Sequence, residues 1–347
     1  MKKNIRSRVQ QAKFIAVLRA IESAQFAPID NGGALIPGEI YLANESRFAE
    51  NYFHEKLTNY AVGFRDPNDI DATRKFFAPE VETAPFFEYK EAINAEEFLT
   101  DDDDRSAIGS DYKVIEPYKA TTTLGKIEDH GLMLVVDLRA VRGQSDWEMK
   151  KVAKLKRRVA RNRLKRAVAL ISAAATNTAK TWDATAGKDP DMDVITDKIT
   201  SVTASGIGFN RVGYGDTAWS KRFLSFRAQN NAGGYSSAGL NETQLAGLLG
   251  VDQVKVSRER YQSSETAKAE IVNNLVLMFN AMDGADTEDA SNIKCFVSRY
   301  GAGEQGAGGF ERVFIVPLGV NKVGIVLSYQ ELMKITSTLG IRKFTVS

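Results

Sequence analysis

Residues 146–178 read DWEMKKVAKLKRRVARNRLKRAVALISAAATNT, and this stretch decides the fold. Its apolar residues recur every three to five positions, at Val152, Leu155, Val159, Leu164, Val168 and Ile171. No proline or glycine interrupts them, and Ser145 or Asp146 can cap the N-terminus. A helix of this length extends about 50 Å at 1.5 Å per residue, roughly three times the mean helix of a globular domain. The sequence therefore predicts one long amphipathic helix as the dominant element.

The same helix is strongly basic, with ten basic residues and one acidic residue between Glu148 and Arg166. Such a row could follow a phosphate backbone through counterion release, which predicts nucleic-acid contact. Alternatively, it is a solvated face that pairs with acidic groups of a partner, since no groove-reading motif accompanies it. Both interpretations remain open. The basic face is predicted to include Lys154, Arg157, Arg158, Arg161 and Lys165.

The chain before the helix has three parts. Residues 5–24 suggest a basic amphipathic helix, and residues 25–75 show scattered turn formers that predict an extended arm. Residues 76–130 contain too many aromatics for a solvated loop and too many charges for a core. They predict a long β-hairpin that packs on a neighbouring subunit. Its predicted contact residues are Phe86, Phe87, Tyr89, Asp101, Asp102, Tyr112 and Tyr118.

The chain after the helix alternates short strands and helices irregularly, which indicates an α+β fold. Helices are predicted at 218–228 and 241–249, and a last short helix at Gln330–Gly340. Residues 292–317 predict two strands forming a β-hairpin around a glycine-rich turn. This turn formally matches the G-x-G-x-x-G fingerprint at 301–306, but a strand rather than a helix follows it, so no nucleotide site is expected.

Composition and single residues exclude several classes of function. Lys and Arg total 46 against 44 Asp and Glu, a formal net charge of +2 that argues against an overall nucleic-acid binder. The one cysteine, Cys295, excludes an intrachain disulfide and is expected in the core. The run Asp101 to Asp104 lacks the spacing of a calcium loop, and the two histidines, His54 and His130, offer little for catalysis. We expect no cofactor, no metal site and no enzymatic activity. The N-terminus lacks a secretion signal, and no apolar run approaches the ~20 residues that span a bilayer.

Taken in order, a basic arm, an aromatic and acidic hairpin, a long helix and an α+β remainder resemble the Hong Kong 97-like major capsid proteins of tailed bacteriophages. Three segments carry the resemblance after the helix: TWDATAGKDPDMDVITDKI at 181–199, IGFNRVGYGDTAWSKRFLSF at 207–226 and NETQLAGLLGVDQVKVSRERY at 241–261. The resemblance covers nearly the whole chain, from about residue 10 to the end.

The resemblance implies a domain organisation. The implied parts are an N-terminal arm and helix (1–75), an extended β-hairpin loop (76–130), a peripheral domain with the spine helix 146–178 (131–182 and 291–330) and an axial domain (183–290 and 331–347). About 140 residues precede the long helix, and the arm and hairpin occupy them, so scaffolding is expected from a separate protein.

The resemblance also implies a function. The chain would be a structural subunit of the virion that self-assembles into hexamers and pentamers of an icosahedral head around double-stranded DNA. Assembly would take place in the host cytoplasm with scaffolding, portal and decoration proteins as partners and without a membrane. Two alternatives remain: an encapsulin-like nanocompartment shell, and a DNA-binding protein that uses the basic helix 148–166.

Overall fold

The structure is a computed structural model that describes residues 52–66, 69–91, 121–185, 187–284, 286, 287, 289, 291–301 and 308–347. The helices in these ranges are α1 (Glu55–Gly63), α2 (Ile70–Phe77), α3 (Trp147–Ala174), α4 (Pro190–Ser205), α5 (Asp216–Ala228), α6 (Ala232–Ala238) and α7 (Glu242–Leu249). The strands are β1 (Glu80–Glu82), β2 (Phe86–Glu91), β3 (Thr121–Lys126), β4 (Glu128–Asp137), β5 (Thr176–Lys180), β6 (Arg211–Gly215), β7 (Gln253–Ser257), β8 (Arg260–Gln262), β9 (Lys268–Glu270), β10 (Leu275–Phe279), β11 (Ile293–Val297), β12 (Glu311–Gly319), β13 (Lys322–Ile335) and β14 (Arg342–Val346).

Helix α3 is the predicted long helix, and all six of its periodic apolar residues are buried. Asp146 occupies the N-cap position in a left-handed conformation (φ 56°), but among the described residues its side chain caps no helix N–H. The helix ends at Ala174, four residues before the predicted end. The difference arises because Thr176–Lys180 adopts an extended conformation and pairs with β14 as strand β5.

The first sheet has the order β1-β11-β13-β12, and β4 also pairs with β13. The first part of the long strand β13 lies between β12 and β4, and its last residues, Glu331 to Ile335, pair with β11. The N-terminal half of α3 packs on this sheet: Val152, Leu155 and Val159 share a buried cluster with residues of β4, β12 and β13.

Two predictions for this sheet are wrong. The strands at 292–317 exist as β11 and β12, but they do not form a hairpin, because each pairs with β13 instead. The predicted helix at Gln330–Gly340 is largely strand, since Gln330–Ile335 completes β13. Glu, Leu, Met and Lys favour helices in isolation, but pairing with β11 outweighs that preference.

Helices α1 and α2 correct the prediction of an extended arm over residues 25–75. The side chain of His54 caps α1 by accepting a hydrogen bond from the backbone N–H of Leu57 at 3.2 Å. Leu57 packs in the same buried cluster as the N-terminal half of α3, and Phe77 of α2 packs with its C-terminal half. Both helices are short, so their stability comes from this packing rather than from their own propensity.

The second sheet has the order β5-β14-β10-β6-β7. Strands β6 and β14 lie antiparallel to β10, whereas β5 and β7 run parallel to their neighbours. Helices α4, α5 and α7 contribute Val194, Ala218 and Leu245 to the core of this sheet. The helices predicted at 218–228 and 241–249 are confirmed as α5 and α7.

Helix α3 connects the two sheets. Its C-terminal residues Leu164 and Ile171 share one buried cluster with Leu277 of β10 and Ile293 of β11, which belong to different sheets. The division into a peripheral and an axial domain, with the boundaries given above, stays a prediction. None of the described helices is long and apolar enough to cross a membrane.

Candidate assembly surfaces and the basic helix

Strands β2 and β3 form an antiparallel two-stranded ribbon at the base of the predicted extended loop. Phe86 lies opposite Lys126, and Glu88 lies opposite Leu124, so these four side chains share one face of the ribbon. Phe86 is 73% exposed and Leu124 is 79% exposed. The ammonium group of Lys126 lies 5.9 Å from the centroid of the Phe86 ring. This face therefore presents two large apolar side chains to solvent.

The opposite face of the ribbon packs against its own chain. The ring of Phe87 lies 4.5 Å from that of Phe296 on β11, and the ring of Tyr89 lies 5.4 Å from it. Tyr89 is only 4% exposed and belongs to a buried cluster with Val81 and Leu332. Little of the Tyr89 side chain is left for a neighbouring subunit to contact.

An interface role stays a prediction for all the residues proposed from the sequence, and within the described ribbon only Phe86 among them is largely exposed. The other four, Asp101, Asp102, Tyr112 and Tyr118, lie outside the described residues.

Five of the ten basic side chains of α3 form ion pairs with carboxylates of the same chain. The pairs are Lys156–Glu311, Arg157–Asp66, Arg161–Glu259, Arg163–Glu331 and Arg166–Glu331. Arg157 and Arg161 of the predicted basic face are therefore paired within the chain, at 3.3 and 3.4 Å. Lys165, also on that face, lies 3.8 Å from the ring centroid of Tyr261.

Three cations of α3 point into solvent instead. Lys150, Lys154 and Arg158 are exposed, and no residue in the described part of the chain forms an ion pair with them. The single predicted basic face is thus divided by the fold into a paired set and an exposed row.

Beneath α3 lies a buried ion-pair network centred on Glu331 of β13. One carboxylate oxygen accepts from Nε of Arg163 at 2.5 Å, and the other lies 2.6 Å from Nη2 of Arg166. The Glu331 side chain is 1% exposed and that of Arg163 is 8% exposed. Burial alone would lower the pKa of Arg163, but the carboxylate of Glu331 raises it above the usual range, so the guanidinium stays charged.

A second carboxylate, Glu80 of β1, connects this network to α2. Its Oε1 lies 2.7 Å from Nη2 of Arg74, which is fully buried, and 3.4 Å from Nη2 of Arg163. Burial would raise the pKa of Glu80, but the guanidinium groups of Arg74 and Arg163 outweigh it and hold that pKa below its usual value. The network therefore joins α2, α3, β1 and β13 by charge.

His130 of β4 lies at the edge of the network. Nη1 of Arg166 lies 3.1 Å from Nε2 and 3.3 Å from Nδ1 of the His130 imidazole. The imidazole stacks on the ring of Tyr329, with 5.5 Å between the ring centroids. Burial and the guanidinium of Arg166 lower the pKa of His130. The imidazole is consequently neutral near pH 7, and it has no nucleophile to activate among the contacts described.

The sequence did not predict the buried members of the network, because the cations of α3 were all assigned to one basic face. A signal was nevertheless present: Leu327, Tyr329 and Glu331 alternate along β13 and are all buried. Reading this segment as a strand would have placed Glu331 inside. A second buried pair, Arg222 of α5 with Asp191 of α4 at 2.7 Å, lies in the core beside the second sheet and was also missed.

Cys295 and the glycine-rich segment are the other residues that the sequence singled out. Cys295 is buried as expected, and burial raises the pKa of its thiol to about 12, aided by the nearby Glu331. Strand β12 begins at Glu311, after the glycine-rich segment, where a dinucleotide fingerprint would need a helix. Within the described ranges, no three His, Cys, Asp or Glu side chains are grouped as metal ligands.

No protein-family model matches the chain, and no curated protein matches its sequence. Solved structures do match it. The phage-related protein from Bordetella bronchiseptica RB50 superposes with a TM-score of 0.60 at 16% identity, over 84% of this chain and 96% of that chain. The capsid structure of cyanophage P-SCSP1u superposes with a TM-score of 0.47 at 9% identity, over 78% of this chain and 86% of that chain. The virus-like particle from Pyrococcus furiosus superposes with a TM-score of 0.44 at 13% identity, over 83% of this chain and 95% of that chain.

The chain shares the mixed helix and sheet fold of the phage-related protein from Bordetella bronchiseptica. The predicted α+β fold class is confirmed, and the solved structures to which the chain is similar are mostly phage capsid proteins, in line with the resemblance drawn from the sequence.

Proposed function

We propose that this protein is a major capsid protein, a non-enzymatic structural subunit that self-assembles into hexamers and pentamers of an icosahedral virus head. The head would enclose double-stranded DNA, and it would assemble in the host cytoplasm with separate scaffolding, portal and decoration proteins. The fold supports a shell subunit. The observation that carries the proposal further is the exposed apolar face of the β2–β3 ribbon.

A two-stranded ribbon is marginally stable in water unless one face is covered. Here one face is covered by Phe296, through Phe87 and Tyr89, whereas Phe86 and Leu124 remain largely exposed on the other. Fully burying a Leu or Phe side chain stabilises by roughly 1.5–3 kcal/mol. Covering this face with an adjacent subunit would therefore contribute several kcal/mol to the association free energy of each contact. The same contact would be repeated around each ring of subunits.

The test is electron microscopy of the purified protein together with size-exclusion chromatography, with and without a candidate scaffolding protein. We expect rings or closed shells from the unmodified chain. A protein that remains a compact monomer under every condition, crowding agents included, would contradict the proposal.

A matched pair of variants tests the ribbon separately. Replacing Phe86 and Leu124 by serine removes both exposed apolar groups, whereas Thr122→Ser changes a polar residue on the same face. We expect the double variant to stay unassembled and the control to assemble normally. If the double variant assembles as well as the unmodified chain, this face is not the contact.

The contents of native particles separate a virus head from an encapsulin-like compartment. Nuclease-protected double-stranded DNA inside particles supports the head. Particles that contain an enzyme and no DNA contradict it and support the compartment.

A further inference from the structure

The exposed cations of α3 form a regular row. Lys150, Lys154 and Arg158 are spaced four residues apart, so each is displaced by about 6 Å along the helix axis and by about 40° around it. The row therefore spans about 12 Å on one side of the helix. Among the described residues no carboxylate pairs with its members.

The pairing pattern of the helix distinguishes this row from five of its other cations. Lys156, Arg157, Arg161, Arg163 and Arg166 each have a carboxylate of the same chain within 4 Å. These five are satisfied by folding. The three members of the row are not, and like charges one turn apart repel each other and destabilise the helix. An arrangement that is unfavourable in the isolated chain is relieved by an anionic partner.

We infer that the row Lys150–Lys154–Arg158 binds the phosphate backbone of a nucleic acid without reading its sequence. A uniform row of flexible cations complements an anion that repeats along a line, which a phosphodiester backbone does. Sequence-independent contact follows because α3 is packed along its other faces on both sheets and offers no element that could enter a groove. The choice of DNA as the nucleic acid rests on the proposed function, because a virus head encloses DNA.

The competing partner is a cluster of carboxylates on a neighbouring subunit, such as the run Asp101 to Asp104. Binding of the row to such a cluster would occur only between subunits, so it would contribute to assembly. Binding of the row to duplex DNA would not require assembly, so the unassembled protein would show it. The two partners therefore give different results in one experiment.

The experiment measures binding of a fluorescent random-sequence DNA duplex to the unassembled full chain, by anisotropy at several salt concentrations. The test variant is Lys150→Gln, Lys154→Gln and Arg158→Gln. The control variant removes three exposed lysines from other elements, Lys268→Gln, Lys322→Gln and Lys334→Gln, so both variants have the same net charge. Circular dichroism melts of both verify that each is folded.

Loss of three phosphate contacts reduces the slope of log affinity against log salt by about 2.7. We expect this reduction, and at least a tenfold weaker affinity at about 0.1 M salt, for the test variant and not for the control. Equal slopes for the two variants would overturn the inference, whether or not either one assembles. A test variant that fails to assemble but binds DNA with an unchanged slope would assign the row to a neighbouring subunit instead. Assembly of the unmodified chain is scored separately, so a failure of the shell proposal remains distinguishable.

Discussion

Nε of Arg163 on the long helix donates to Oε2 of Glu331 on strand β13 at 2.5 Å, and both side chains are almost completely buried. The two residues are separated by 168 positions in the chain. Glu331 also pairs with Arg166, so one carboxylate balances two guanidinium groups under the helix. The pair ties α3 to the first sheet, because removing one partner of a buried ion pair is strongly destabilising.

We predict that Glu331→Gln destabilises the unassembled protein strongly. The amide keeps the shape of the side chain but removes the nearest counter-charge of the buried Arg163, which costs about 3–5 kcal/mol. Urea unfolding measures the change. Glu128→Gln is the control, because that carboxylate is 65% exposed and its loss should change the unfolding free energy by less than about 0.5 kcal/mol. A loss below about 1 kcal/mol for Glu331→Gln would show that Arg163 has another source of stabilisation.

His130 gives the protein a pH dependence of defined sign. Its pKa is lowered from 6.5 in the folded state by burial and by Arg166, so the unfolded chain binds the proton more readily. The contribution of His130 to the unfolding free energy therefore decreases as pH falls below about 6.5, until the lowered pKa of the folded state is reached.

The measurement compares the unfolding free energies of the unmodified protein and of His130→Gln between about pH 7.5 and pH 5.5. We expect the advantage of histidine over glutamine to shrink as pH falls. All other ionisable groups are present in both proteins, so their contributions cancel in the difference. Parallel curves would mean that His130 is protonated equally in the folded and unfolded states.

Two aromatic residues on opposite faces of the ribbon should separate stability from assembly. Tyr89→Ala removes a buried ring and should cost about 3–5 kcal/mol in unfolding free energy. Phe86→Ser removes a ring that is 73% exposed and should change that free energy by no more than about 0.5 kcal/mol. Both values come from thermal or urea unfolding of unassembled protein. The reverse order would mean that the outer face of the ribbon, and not the inner one, is covered by the chain.

The sequence predicted best what depends on local periodicity. The long helix was recognisable because its apolar residues recur on one side without a break, and its start at Trp147 was found. Its end was missed by four residues, because Thr176–Lys180 becomes a strand only by pairing with β14, which lies at the other end of the chain. The same cause explains Gln330–Ile335, where helix-forming residues are held extended by β11.

The charges were harder to predict for a related reason. Helical spacing places Arg163 on the apolar side of α3, four residues after Val159 and four before Ala167, and places Arg158 on the other side. A buried arginine is nevertheless expected only with a carboxylate partner, and that partner, Glu331, is brought under the helix by folding. Sequence reasoning could therefore identify the basic helix and the aromatic ribbon as candidate surfaces. It could not sort their residues into those that stabilise the chain and those left free for a partner.

Gly215, at the junction of β6 and α5, is predicted to tolerate no side chain. A Cβ placed there would lie 1.7 Å from the carbonyl oxygen of Asn273 and 2.2 Å from that of Val272. Both obstacles are backbone atoms, so they cannot rotate away, and the chain entering β10 would have to move. The backbone of Gly215 is ordinary, with φ −74°, so the restriction is one of space rather than of conformation.

Gly215→Ala should therefore lower the melting temperature severely or prevent folding, as overpacking against rigid backbone does. Gly247→Ala is the matched control, because the same methyl group in helix α7 meets nothing within 4 Å. Alanine favours a helix over glycine by about 0.5–1 kcal/mol, so this variant should be slightly more stable than the unmodified protein. Thermal melts measure both variants, and the same glycine-to-alanine change should lower the melting temperature at position 215 and raise it slightly at position 247. A Gly215→Ala protein that melts within a few degrees of the unmodified chain would mean that β6 and β10 separate readily, and that the second sheet is held mainly by the helices packed on it.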